Sequence, residues 1–284
     1  MSVSGKEVVV TGGTDGIGKV TARELARMGA RVTIVGRNAA KGDSVVRELR
    51  ARTKSETIHF VQGDLSTHKG VAQASTQLME RIQKLDVLVN NAGGMFQSRQ
   101  VTPDGNEQTL ALNHLGYFGL TAHLIGLLRA AERSRVVNVA SAAHLSAMLD
   151  LDDLQNERKY SGWRAYSQSK LANIYFTYEL ARRLEGSKVS VNCLHPGFVA
   201  SSFGNNTGGF TRFVLSFAKS VAAISEDDGA KTSIFLASSL EVDTVSGKYF
   251  DKCRAIKSSP VSYDTEIAKQ LWTASERLCG LTFK

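Results

Sequence analysis

From Glu7 to Leu194, short runs of β-branched and aliphatic residues alternate with longer stretches whose apolar positions recur every three or four residues. Glu7–Thr11, Arg31–Val35, Thr57–Val61, Asp86–Asn90, Arg135–Ala140 and Lys188–Leu194 read as strands. Helical patterns fill about Gly16–Met28, Ala39–Arg52 and Val71–Lys84, and another runs through Tyr166, Leu171, Ile174 and Tyr178. Strands that alternate with helices imply right-handed crossovers and a parallel sheet covered on both faces. The near-continuous apolar character of the strands agrees with double coverage. No repeat, low-complexity tract or Pro/Ser linker divides the chain, so residues 1–284 are expected to form a single doubly wound α/β domain.

The rhythm breaks at Ser201–Ala223, which is Gly- and Asn-rich and then amphipathic. Phe210, Phe213, Val214, Phe217 and Val221 keep helical spacing there. Three readings stand: a substrate lid over about residues 201–224, a stripe packed into the core, or a membrane-surface helix flanked by Arg212 and Lys219. Ser225-Glu226-Asp227-Asp228 then reads as a capping box that opens another helix.

Composition narrows the function. With 42% hydrophobic and 22% charged residues the chain is ordinary for a globular protein. Its net charge of +8 is spread out rather than clustered, and no basic run is interleaved with aromatics. That argues against nucleic acid and leaves anionic ligands or an anionic membrane surface as partners. Three scattered cysteines offer neither a disulfide framework nor a CxxC pair, which fits a reducing, cytoplasmic setting. Six histidines show no paired ligand spacing, so no metal site is expected. Met1 to Lys6 lead directly into the first strand without a signal-peptide segment, and no stretch is long and apolar enough to span a bilayer. Loose peripheral membrane association stays open.

The first strand is followed by Thr11-Gly12-Gly13-Thr14-Asp15-Gly16-Ile17-Gly18. Glycines let the backbone turn tightly and approach a ligand, and the helix N-terminus that follows attracts phosphate. A P-loop is the rival, because Gly13-x-x-x-x-Gly18-Lys19 matches most of that motif, but Val20 stands where a Mg²⁺-binding hydroxyl is required. Gly36-Arg37 ends the second strand where a NAD site usually carries an acid. Arg37 can pair with a 2′-phosphate, so NADP(H) is preferred and NAD(H) remains admissible; Asp15 in the loop counts against NADP.

Tyr166 and Lys170 stand four residues apart, hence on one helical face. An ammonium near a phenol is expected to lower the phenol's pKa towards neutral and make it a general acid/base. Arg135–Ser141 is a buried strand ending in a hydroxyl, at the edge where open α/β sheets bind ligands. His144, three residues on, suggests a Ser–His hydrolase, yet no G-x-S-x-G elbow is present.

Taken together, Thr11-Gly12-x-x-x-Gly16-x-Gly18, Asn90-Asn91-Ala92-Gly93, Asn113, Ser141, Tyr166-x-x-x-Lys170 and Pro196-Gly197 resemble the short-chain dehydrogenase/reductase family, a Rossmann fold. Leu112-Asn113-His114-Leu115-Gly116, Ser169-Lys170-Leu171-Ala172-Asn173 and Leu271-Trp272-x-x-Ser275-Glu276 are similar to its retinol dehydrogenase-like branch. The resemblance implies Tyr166 as acid/base and as a cofactor contact, Lys170 on the nicotinamide ribose, Ser141 on the substrate oxygen, and Asn113 holding a relay water. It implies further that Gly12, Thr14, Gly16, Ile17 and Gly18 line the diphosphate, with Ser201 where the family usually has a Thr. Asp64 and Leu65 would border the adenine, Asn91, Ala92 and Gly93 the ribose, and Pro196, Gly197 and Val199 the nicotinamide. Asn90 and Asn91 also have a plain reading as strand-end hydrogen bonders. Retinol dehydrogenases typically carry an N-terminal membrane anchor that this sequence does not show, which sets a retinoid beside other bulky apolar substrates: steroids, lipid aldehydes and aromatic ketones. A homodimer or other homo-oligomer is expected. The alternative function is a catalytically silent dinucleotide sensor or scaffold.

Overall fold

The computed structural model describes residues 3–197 and 225–283. Six strands fall where the apolar runs place them: β1 (Glu7–Thr11), β2 (Arg31–Gly36), β3 (Ile58–Gln62), β4 (Val87–Asn90), β5 (Ser134–Val139) and β6 (Val189–Leu194). A late pair, β7 (Lys248–Asp251) and β8 (Arg254–Ile256), was not anticipated, because each is too short to show alternation. The sheet order is β3-β2-β1-β4-β5-β6-β7-β8, parallel except for β8.

Strand residues alternate between two apolar layers. Val9, Val35, Val61, Leu88, Val136 and Val191 face α3 (His68–Arg81), α5 (Gly116–Ala130) and α6 (Gly162–Arg183). Val8, Val10, Val32, Ile34, Val87 and Val89 face α1 (Gly16–Arg27), α2 (Ala39–Thr53) and α7 (Glu226–Ser238). A short helix α4 (Gln108–Leu110) precedes α5, and α8 (Thr265–Cys279) packs its Trp272 into the first layer.

Caps set the helix starts. Asn38 accepts from Lys41 N–H at 2.9 Å to open α2. Thr67 accepts from Gly70 N–H at 3.0 Å, which starts α3 three residues before the first apolar position of its pattern. Ser225 accepts from Asp228 N–H at 3.1 Å, so the capping box does open α7. The branch-specific motifs also meet: the His114 ring bonds the Ser275 hydroxyl of α8 at 2.8 Å.

Candidate active site

The chain leaves β1 towards β2 and β3 on one side, and β4 towards β5 and β6 on the other. Such a reversal opens a crevice at the carboxyl ends of neighbouring strands, here β1 and β4. Thr11 ties the two together. Its hydroxyl donates to Val89 C=O at 3.3 Å and accepts from Asn91 N–H at 2.8 Å and Ala92 N–H at 3.0 Å. The Asn91 amide returns a bond to Thr11 C=O at 2.8 Å.

Gly12 sits in this gap with φ +65°, and a Cβ there would lie 2.9 Å from the Ala92 Cα. A Cβ on Gly18 would collide with the Asn91 amide and the Gly12 carbonyl. Both positions therefore need glycine to let α1 start against the β4 loop. Asp15 caps that start, accepting from Gly16 N–H at 2.9 Å. The first-turn amides of Ile17 and Gly18 have no intrahelical acceptor, the donor set a phosphate takes.

The Asp15 carboxylate also faces Lys41 Nζ at 2.7 Å. Sequence reasoning missed Lys41; its one signal was a base four residues after Arg37. An exposed ion pair contributes little stability, but it offsets the negative charge that Asp15 brings to the loop. Thr14 packs against Gly36, joining the loop to the end of β2. Arg37 is exposed, and among the described residues its guanidinium has no ion-pair partner. Asp64 is half-buried and accepts from Ser66 N–H at 3.0 Å and Ser66 Oγ at 2.7 Å, beside the buried Leu65. Asn90 follows its plain reading: its amide donates to Thr121 Oγ at 3.0 Å and Asn138 Oδ1 at 2.9 Å.

On the other side of the crevice, residues 111–115 form a π-turn between α4 and α5. Such turns cluster at functional sites because they re-aim a side chain. Here the residue is Asn113, whose Oδ1 accepts from Gly94 N–H at 2.8 Å while its amide donates to Gly94 C=O at 2.9 Å and Ser169 Oγ at 2.8 Å. A Cβ on Gly93 would stand 3.2 Å from Asn113 Oδ1 and 3.5 Å from Lys170 Nζ, so these groups converge on one small space.

Lys170 is 3% exposed, and its ammonium donates to Val139 C=O at 2.9 Å. Burial pulls its pKa down to about 7. Its Nζ stands 5.8 Å from the Tyr166 ring centroid. The expected depression of the Tyr166 phenol is therefore corrected. Burial moves that pKa upwards, and only a hydrogen bond with the Ser141 side chain pulls it down. One ammonium donor goes to the β5 carbonyl. Ser141, just past β5, caps the 3₁₀ turn Ala142–Ser146 by accepting from Ala143 N–H at 3.2 Å. Pro196 and Gly197 follow β6 at the same edge, Gly197 with φ +84°. Val199, Ser201 and the 201–224 segment lie outside the described residues.

A glycine-lined strand–helix loop at a sheet reversal, with Ser141, Tyr166 and a buried Lys170 at hand, fits a dinucleotide-dependent dehydrogenase site. The short chain dehydrogenase family profile matches residues 6–209, and the chain belongs to that family. Among curated relatives it is similar to retinol dehydrogenase 13 of Homo sapiens, 39% identical over 99% of this chain and 86% of that protein. It is 40% identical to human retinol dehydrogenase 14, over 98% and 87%. Among solved structures, an uncharacterised Mycobacterium paratuberculosis protein superposes with a TM-score of 0.80 at 33% identity, covering 100% of this chain and 96% of that one. The Pseudomonas aeruginosa RhlG/NADP complex superposes at 0.72 with 28% identity, covering 88% and 95%. The protein is thus an NAD(P)-dependent oxidoreductase of alcohols and carbonyls, on the retinol dehydrogenase-like branch. Among the described residues no helix is long and apolar enough to cross a membrane.

Proposed function

We propose that the protein uses NADP(H) to interconvert a carbonyl and an alcohol on a bulky apolar substrate, with Tyr166 moving the proton. The juxtaposition of the Ser141 and Tyr166 side chains, close enough for Ser141 to pull the buried phenol's pKa down, carries this reading. Two hydroxyls side by side at the strand ends can both donate to one substrate oxygen and stabilise its developing charge. Gly12, Gly18 and the Ala92 backbone form a cradle that any Cβ would fill, and Lys170 has donors to spare beyond Val139. These residues fit a nicotinamide dinucleotide, which supplies or accepts the hydride when bound. In reduction, Tyr166, held as the neutral phenol, gives its proton to the new alkoxide. The Lys170 ammonium, anchored by Val139, offsets the phenolate charge left behind. Asn113 positions a relay beside Lys170 for reprotonation.

Support for NADP(H) comes from the exposed Arg37, which has no ion-pair partner among the described residues, and from Lys41, which offsets Asp15. Support for an apolar substrate comes from Ala147, Met148, Leu149 and Trp163 in the lining of an open cleft of about 590 Å³ on the flank of α6, whose remaining lining is Ser146, Asp150, Arg164, Ser167 and Gln168. Its Trp163 ring lies 6.2 Å from that of Tyr166, and Met148 and Leu145 are 77% and 66% exposed. Large apolar side chains exposed together mark a binding surface. The test is NADPH oxidation against NADH over retinal, steroid ketones, medium-chain aldehydes and quinones. NADPH-preferring turnover of apolar carbonyls is expected. A preference for NADH, or turnover confined to small polar carbonyls, overturns the finer reading.

A further inference from the structure

Two histidines flank the site, neither among the residues assigned to substrate or cofactor. His144 lies three residues past Ser141, and His195 immediately precedes Pro196-Gly197. They contact the same tyrosine of β7. The Tyr249 ring is 4.9 Å from His144 and stacks at 6.0 Å, 19° from parallel, on His195.

Their hydrogen bonds assign opposite tautomers. Ser259 N–H donates to His144 Nε2 at 3.1 Å, so that nitrogen carries no proton. The proton is on Nδ1, which donates to the Ser141 carbonyl at 2.7 Å. In His195 the roles reverse. Gly197 N–H donates to Nδ1 at 3.1 Å, leaving the proton on Nε2, which faces Asp251 Oδ1 at 3.3 Å. Each ring thus spends one nitrogen on the site and the other on the β7–β8 region and the loop that follows it. Each needs to be neutral, because a protonated imidazole has no acceptor left. Burial lowers both pKa values, which keeps them neutral. The Ser141 carbonyl opposes this at His144 and Asp251 at His195, while Lys252 assists it at His195 and His195 at His144.

The geometry points to His144 and His195 as a pair of positioning residues, seated on Tyr249, that hold Ser141 and the Pro196-Gly197 turn at a set separation. This rests on the reading of Ser141 and Gly197 given above. Ser141 polarises the substrate oxygen, so His144 acts on turnover. Gly197 meets the nicotinamide end, so His195 acts on cofactor affinity.

The test compares H144F, H144N, H144Q, H195F and H195N with wild type and S141A, using whichever carbonyl the enzyme reduces and NADPH fluorescence for binding. Asn places an amide nitrogen where His144 has Nδ1 and keeps the Ser141 bond; Gln reaches only the Ser259 side. H144F and H144Q should lose about tenfold or more in kcat with NADPH Kd within about twofold of wild type, and H144N should recover most of it. H195F should weaken NADPH binding about fivefold or more, and H195N, which keeps an acceptor for Gly197, should stay near wild type. The wild type should lose NADPH affinity towards acid pH more steeply than H195N, whose acceptor cannot protonate. Equal losses in H144N and H144F, or H144Q above H144N, overturn the His144 half. Unchanged affinity in H195F, or parallel pH profiles for wild type and H195N, overturns the His195 half. If the phenylalanine variants do not fold, the Asn-against-Gln comparison and the pH profiles still decide. If S141A itself keeps wild-type kcat, the reading of Ser141 fails; if S141A falls while H144F and H144Q do not, only the present inference fails.

Discussion

Lys170 is an ammonium buried without a carboxylate, and its cost to the fold is measurable. Among the described residues no acid pairs with it; its hydrogen-bond partner is the Val139 carbonyl, and burial brings its pKa down from 10.5 to about 7. A base whose folded pKa is depressed binds fewer protons when folded than when unfolded, so stability rises with pH between the two values. The full cost is present below about pH 7 and shrinks as pH rises towards 10.5. At 1.36 kcal/mol per unit, raising the pH from about 7 to about 10 should recover roughly 3–4 kcal/mol. K170M keeps the aliphatic stem and removes the charge. Urea unfolding of both proteins without cofactor, at each pH, isolates the effect, because every other titrating group cancels in the difference. K170M should be the more stable protein near neutrality, with an advantage that largely disappears by about pH 10. It should also be inactive. A stability difference that changes by less than about 1 kcal/mol over that range would refute the claim that Lys170 is buried and uncompensated before cofactor arrives.

Three other outcomes follow from the same contacts. Tyr166→Phe removes the proton donor while keeping the ring beside Trp163, and should lower kcat for carbonyl reduction by about 10²-fold or more; near-wild-type turnover would end the assignment. Arg37→Asp places a carboxylate where a 2′-phosphate would sit, and should raise KM for NADPH by about tenfold or more while leaving KM for NADH the same or lower; equal effects on both would remove Arg37 as selector. Arg135, 3% exposed, is held by Asp243 Oδ1 at 2.9 Å and by the Leu236 and Ser239 carbonyls at the end of α7. Asp243→Ala leaves that guanidinium without its counter-charge and should cost about 3 kcal/mol in denaturant unfolding. The Arg135 hydrogen bond holds the Asp243 carboxyl below its usual 3.8, so its contribution is present above that pH and fades as pH falls through the lower folded value.

The strands, their parallel order and the placement of the glycine loop were legible in the chain, because each depends on local information. A run such as Val8-Val9-Val10 favours an extended backbone buried on both faces, and the alternation with helices leaves few ways to arrange the crossovers. The residues proposed as catalytic were named from the chain as well: Tyr166 and Lys170 from their spacing, Ser141 from its strand end, and Asn113 from resemblance to a family alone. Tertiary structure decided what those groups do to one another. A four-residue spacing puts Tyr166 and Lys170 on one helical face, but the Val139 carbonyl, contributed by β5, takes a hydrogen bond from the ammonium, and burial makes the phenol's pKa rise rather than fall. The π-turn at residues 111–115 and the Thr11 link between β1 and β4 are set by neighbours far along the chain. The tautomers of His144 and His195 depend on Ser259 and Asp251, 115 and 56 residues away, whose positions follow from two strands too short to announce themselves. Periodicity reports which faces are buried; only the fold reports which polar atoms share the space inside.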